Sequence, residues 1–591
     1  MTRPSYVVGI DLGTSNTVVA YASLTEDLEH TPDFHILEIP QMAGLGVVEK
    51  STILPSFLYL PEQREAEQMK LPWGTANPVV GLYARDRGAE VPGRQIASSK
   101  SWLCTDLVDR GGGVLPWDSQ DIESERRLSP VVASSMILHH VKDAWNYHFR
   151  SQGENFLLEN QEIFLTVPAS FDAVARDLTV RAAQEAGLLK LVLLEEPQAA
   201  FYAWIAKRRN AWRDHVKAGD TVLVCDVGGG TSDFSLIRVK DADGRLELER
   251  IAVGNHLLVG GDNMDLTLAY HVAAGLAAKN KALDAWQMRG LIQRSRQVKE
   301  SLLKDPGKES LSVTIAGRGS GLIAGTIKSE VRYDEVEKLI MTGFFPECDR
   351  DARPVQPSGS GLSEFGLGYE ADPAITRHLA AFLAETGEEP TAVLFNGGVM
   401  KPSLLRERLC RIVASWQNGK EVRELENEAG DLAVAMGAAY YGWARKGRGI
   451  RIRSGLSRTY YIGVAAAMPA VPGIPMPKKA LCIAPFGMEE GSEVSIREKI
   501  YMLNVGVPVS FELLASTSRR EDTPGEVVED WQGALVPVAR IETRLDGGDE
   551  KRIPVTLAVR VTEVGTLEFF CVSEKDGRSW DLAFQIREGF S

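Results

Sequence analysis

The sequence predicts an α/β fold in which one hairpin design is used twice, followed by an all-β domain. Residues 7–19 and 222–234 each read as an apolar strand ending in an aspartate, a glycine-and-hydroxyl turn and a second apolar strand. From residue 1 to about 446, strands alternate with helices of ordinary length. Beyond Gly455 the pattern changes to alternating segments separated by turn residues. A glycine turn exposes backbone amides that can hold phosphate oxygens, so two copies predict a duplicated unit gripping a nucleoside triphosphate from both sides.

Ser129-Pro130 opens an apolar-periodic helix to about residue 149, because serine caps free amides and proline has no amide to leave unpaired there. Residues 163–167 read as the next strand. A helix from Asp172 stops at Gly187, residues 191–194 form a buried strand, and Glu196-Pro197 opens another helix. After the second hairpin, helices are predicted near 263–279 and 286–304, then a hairpin over 311–327. The stretch 346–373 is rich in Gly, Pro and Ser and reads as a long surface insertion. Order returns with a strand over 392–395, the turn Asn396-Gly397-Gly398, and helices over 402–416 and 431–445. Arg445, Lys446, Arg448, Arg451, Arg453 and Arg458, interleaved with glycine, read as a solvated linker. Strands are predicted over 495–502, 507–514, 553–562 and 566–572. The expected division is therefore 1–446, a linker over 447–458, and a β-sandwich over 459–591.

The chain has 591 residues, enough for several cores. A net charge of -14 argues against nucleic acid or an anionic membrane as the main partner. The start of the chain carries no charged-then-apolar signal segment, and the most apolar stretch, 460–477, is broken by four prolines, too interrupted for a membrane helix. Cys104, Cys225, Cys348, Cys410, Cys482 and Cys571 show no C-x-x-C pair, so buried free thiols in a reducing cytoplasm are expected.

Phosphoryl transfer needs charge neutralisation and a placed nucleophile more than covalent help. Asp11, Asp226 and Asp233 are candidates to hold hydrated Mg²⁺. Gly13, Thr14, Ser15 and Asn16 in one turn, and Gly228, Gly229, Gly230 and Thr231 in the other, supply amide and hydroxyl donors. An aspartate at a turn is more often a local cap than a metal partner, and it is the paired placement that reverses this. His139-His140, Trp73, Trp102 and Trp117 are explained by helix faces and core packing.

These segments, taken in order with Leu194-Glu195-Glu196-Pro197 and residues 431–439, resemble the DnaK-like heat-shock protein 70 chaperones across nearly all of 1–446. The resemblance implies a two-lobed, actin-like ATPase domain of duplicated ribonuclease-H-like subdomains, binding ATP or ADP with Mg²⁺ and K⁺. Lys100 is similar to the family's lysine that orients water against the γ-phosphate, with Glu196, Asp226 and Thr231 acting beside it. Gly260 and Gly261 resemble a segment near the phosphates, with His256 before them structural. Lys299, Gly397, Gly398 and Asp431 match adenosine-side positions.

The departures are informative too. Glu300 and Lys401 stand where the family places arginines, which puts adenine stacking in question and with it base preference. The family's apolar, acidic linker is replaced by residues 449–455, and the β-domain is expected to act without the family's helical lid. The resemblance implies a cytoplasmic ATP-driven chaperone holding an unfolded or dedicated partner polypeptide in its β-domain, served by a J-domain co-chaperone and a nucleotide-exchange factor. A nucleotide-binding scaffold with little hydrolysis, an actin-like filament protein and a small-molecule kinase of the same superfamily are the alternatives.

Overall fold

In the computed structural model, residues 4–24, 32–105, 109–242, 245–315, 326–356, 367–427, 429–448, 452–453, 455–456, 458–465, 478–489, 491–546, 551–562 and 566–582 are described. Two sheets repeat one topology. The first runs Leu191–Glu195, Glu162–Val167, Tyr6–Leu12, Asn16–Ser23, His35–Ile36, its first three strands parallel and the rest antiparallel. The second runs Arg423–Leu425, Ala392–Asn396, Thr221–Val227, Ser232–Ala242, Arg245–Val253 with the same directions. The fold is thus the two-lobed α/β class with a sheet-rich C-terminal region.

Helices form where the caps lie. Ser129 Oγ accepts from the Val132 amide at 3.1 Å to open Pro130–His148, and Asp172 accepts from the Ala175 amide to open Ala173–Glu185. Glu196–Arg208 and Ala433–Trp443 cross between the two sheets, burying Phe201, Tyr202, Trp204, Val434 and Ala438 in a core shared with strands of both lobes. Their approach is so close that a Cβ on Gly437 would lie 1.7 Å from the Ala199 carbonyl oxygen. The packing between the lobes therefore depends on a side chain being absent.

The C-terminal sheets, ordered Val527–Val528, Lys478–Ala484, Thr459–Ala465, Pro508–Ser516, Val536–Arg544 and Glu493–Asn504, Arg552–Val561, Leu567–Ser573, Ser579–Asp581, close on one apolar core. Ala173, from the first lobe, is part of that core, and Val538 packs on Leu103, Val174 and Leu178. The basic stretch expected to be a solvated linker is partly built in. Ile452–Arg453 pairs in parallel with Arg245–Val253, Ile452 is buried, and its amide donates to the Tyr202 hydroxyl at 2.6 Å. The apolar Ile452 finds a sheet edge that composition alone does not reveal. The other linker residues 449–451, 454 and 457, part of the insertion (357–366), the proline-broken run 466–477 and the tail 583–591 lie outside the described residues. All six cysteines are free, and among the described residues no helix is long and apolar enough to cross a membrane.

Candidate functional site

The two hairpin turns meet. In the first, the Gly13 amide bonds the Asn16 carbonyl at 3.0 Å; in the second, the Gly228 amide bonds the Thr231 carbonyl at 2.8 Å. A Cβ on Gly229 would fall 2.1 Å from Ser15 Oγ, so the turns approach within the space of one methyl group. Gly260 backs the second turn, and the Gly261 and Asp262 amides donate to the Gly228 and Gly229 carbonyls at 3.0 and 2.7 Å.

Asp11 and Asp226 end equivalent strands and face one crevice. Thr166 Oγ1 donates to Asp11 at 3.1 Å, and Asn396 Nδ2 donates to Asp226 at 2.7 Å. Lys100, 5% exposed, is hydrogen-bonded and ion-paired to Glu196 between them. A buried ammonium needs such a partner. Burial works against its charge, but Glu196 and Asp11 outweigh burial and raise its pKa above the ordinary value. Burial, with Glu196 adding repulsion, lifts the Asp11 carboxyl to about 7 despite Lys100. Burial and Glu196 lift Asp226 to about 8, opposed by the bond from Asn396. Both carboxyls are held above their normal range chiefly because burial disfavours their charged form, with Glu196 adding repulsion.

A divalent cation would favour that charged form, and an all-oxygen donor set suits Mg²⁺. Among the described residues no three His, Cys, Asp or Glu side chains are grouped to hold a metal ion. Asp233, across the hairpin from Asp226, is already engaged by the Ser170 hydroxyl, with His256 Nδ1 3.5 Å away.

Beside this cluster opens a cleft of about 1560 Å³, ample for a nucleotide. Ser15, Asn16, Gly229, Gly261, Lys299, Glu300, Gly398, Lys401 and Asp431 line it. Asp11, Lys100, Glu196, Asp226, Thr231 and Asp233 are not in that lining. Lys299 is buried, bonded to Asp265 at 2.6 Å and to the Gly261 carbonyl at 3.0 Å, so it braces the wall. Burial lifts Asp265 to about 6 against the attraction of Lys299. Glu300 is exposed and turns to Arg296 at 3.2 Å; Lys401 is tied to Asp431 at 2.5 Å. Gly397, at φ 84, lies against the Val227 carbonyl, leading into Gly398.

Ser170 and Asp265 are not marked by the sequence, and Asn396 is read from it only as part of the turn Asn396-Gly397-Gly398, not as a partner of Asp226. Ser170 lies 63 residues from Asp233, and nothing local marks the pair. Asn396 is visible as the end of a strand before Gly397-Gly398, yet its bond to Asp226 spans 170 residues.

Two duplicated sheets, two abutting glycine turns and a lysine-bearing acidic crevice agree with the two-lobed, actin-like fold expected from the sequence. A family model described as Hsp70 protein matches residues 86–316. The chain is similar to the Chaperone protein HscA homologs of Burkholderia lata and Burkholderia ambifaria, each 28% identical over 67% of this chain and 58% of the relative. It is 30% identical to the homolog of Pseudoalteromonas atlantica over 57% of this chain and 51% of that one. The aligned region thus spans between half and three fifths of these relatives. Over the matched region the chain is similar to Hsp70 proteins.

Proposed function

We infer that this protein is an ATP-binding and ATP-hydrolysing chaperone of the Hsp70 type. The observation that carries the reading is Lys100 paired to Glu196 between Asp11 and Asp226, directly behind two abutting phosphate-type turns. In this reading the turn amides, with Thr14, Ser15 and Thr231, hold the phosphates. Asp11 and Asp226, with Asp233 if it is released from Ser170, would hold hydrated Mg²⁺, which would neutralise phosphate charge, and K⁺ is a further candidate ion. Lys100 and Glu196 orient water toward the terminal phosphorus, and Asp226 and Thr231 fix its approach.

The β-domain is the candidate polypeptide site, and the contacts around the connector favour coupling to the cleft. Arg250 pairs with Glu195 and also bonds the Gly455 carbonyl; Arg458 donates to the Ser170 carbonyl at 3.0 Å, while the Ser170 hydroxyl bonds Asp233. A J-domain co-chaperone and a nucleotide-exchange factor are the proposed partners, and the cytoplasm the proposed location. A second reading, a nucleotide-binding scaffold with little hydrolysis, is favoured by Glu300 and Lys401 being engaged elsewhere than over a base.

Calorimetric titration with ATP, run beside a phosphate-release assay, tests both. The wild type should bind and release phosphate, and Lys100→Ala should bind comparably while losing roughly 100-fold or more of its turnover. Binding without release favours the scaffold, and turnover surviving in Lys100→Ala removes the lysine's role.

A further inference from the structure

Ser101 follows Lys100 in the short helix Ser99–Trp102. It is 2% exposed, and its hydroxyl has no hydrogen-bond partner among the described residues. A buried polar atom left this way has lost water without replacement, and such atoms call for an explanation. Orphaning alone is not enough, because Ser134 and Ser295 share it in the middle of packed helices. Position separates Ser101 from them. A Cβ built on Gly230 would lie 3.6 Å from Ser101 Oγ, 3.0 Å from Thr14 Cγ2 and 3.8 Å from Asp262 Oδ2. Ser101 therefore stands at the seam where the first turn, the second turn and the Lys100 helix converge.

The neighbours decide what such a hydroxyl could serve. Thr14 and Gly230 belong to the turns that cradle phosphate in the reading above, and Lys100 belongs to the group that orients water. A donor between them meets the terminal phosphate rather than the base or sugar. We propose that Ser101 donates its hydroxyl hydrogen to a terminal phosphate oxygen of the bound nucleoside triphosphate, and so helps the site distinguish triphosphate from diphosphate. This rests on the ATP-site reading, and no bond is made or broken at Ser101.

The test compares binding of ADP and of ADP with beryllium fluoride, a mimic of the terminal phosphate, by calorimetry in Mg²⁺. Wild type should bind the mimic complex more tightly than ADP. Ser101→Ala should keep ADP affinity within about twofold and lose roughly ten- to hundredfold of the gain from the mimic, the range for a hydrogen bond to a charged group. Ser101→Thr, which keeps the hydroxyl, should retain most of that gain; this variant decides the matter if Ser101→Ala melts early. Equal losses for ADP and for the mimic would mean a packing role and overturn the proposal, as would an unchanged Ser101→Ala. Wild type that binds neither would remove the ATP-site reading itself, a result distinct from either.

Discussion

The first turn offers side chains where the second offers bare backbone. Residues 13–16 carry one glycine followed by Thr14, Ser15 and Asn16, while residues 228–231 carry three glycines before Thr231. The structure shows why the copies diverged. Ser15 Oγ fills the position a Cβ on Gly229 would need, and the Thr14 methyl stands 3.0 Å from the one Gly230 would carry. One lobe fills what the other leaves open, so identical turns would collide. The sheets differ in a similar sense. Among the described residues it is the second lobe's sheet that recruits a strand from the connector, Ile452–Arg453, and so the second lobe holds that segment.

The comparison can be broken hardest where the lobes join. Gly437→Ala would put a methyl 1.7 Å from the Ala199 carbonyl oxygen and 2.9 Å from the Ala203 nitrogen, both backbone atoms of the crossing helix. Neither can rotate away. The expected cost is about 3 kcal/mol, the upper end of ordinary overpacking. It should appear in urea unfolding as a lower midpoint, and an unchanged midpoint would mean that the helices slide freely past each other.

The division of labour between the turns is sharpened by a pair of alanines. At Gly229 the new Cβ meets Ser15 Oγ at 2.1 Å, whereas at Gly228 its nearest neighbour is the Thr231 carbonyl at 3.5 Å, an ordinary contact. Gly229→Ala should weaken ATP binding roughly 100-fold, about 2.7 kcal/mol. Gly228→Ala should change it by less than a few-fold. Similar losses at both positions would show that conformational freedom of the turn, and not its approach to Ser15, is what the glycines supply.

The hairpins were legible because an aspartate and glycine turn between apolar runs is a local signal. Tyr6–Leu12 with Asn16–Ser23, and Thr221–Val227 with Ser232–Ala242, are the strands that pattern implies. The helices at Pro130, Ala173 and Glu196 were legible through Ser129, Asp172 and Pro197, whose cap chemistry acts within four residues. Tyr333–Gly343 and Ile375–Thr386 are not legible, since the residues at their N-caps, Arg332 and Ala374, are not among the Ser, Thr, Asp and Asn that announce a helix start. Thr459–Ala465 and Lys478–Ala484 flank the proline-rich run that dominated that stretch. At the site, residue types and loop positions were visible. The engagement of Lys299 by Asp265, of Lys401 by Asp431 and of Asp233 by Ser170 was not, because each depends on chain segments brought together only by the fold.

The smallest effect concerns acid. His140 is buried in the first lobe's helix Pro130–His148, with Nε2 3.0 Å from the Pro40 carbonyl and its ring edge-on to Trp73. Burial lowers its pKa from 6.5 to about 4, against the pull of that carbonyl. Between those values the unfolded chain binds a proton that the folded chain refuses, so acidification favours unfolding. The contribution is intact above about 6.5, declines as the pH falls toward 4, and amounts to about 2 kcal/mol between pH 7 and pH 5. His140→Gln cannot take up the proton and keeps an amide donor for the Pro40 carbonyl. Urea unfolding at the two pH values should therefore show wild type losing about 2 kcal/mol more than the variant. Equal losses would mean that His140 reaches solvent in the folded state, and that the first lobe's core is looser around this helix than its packing implies.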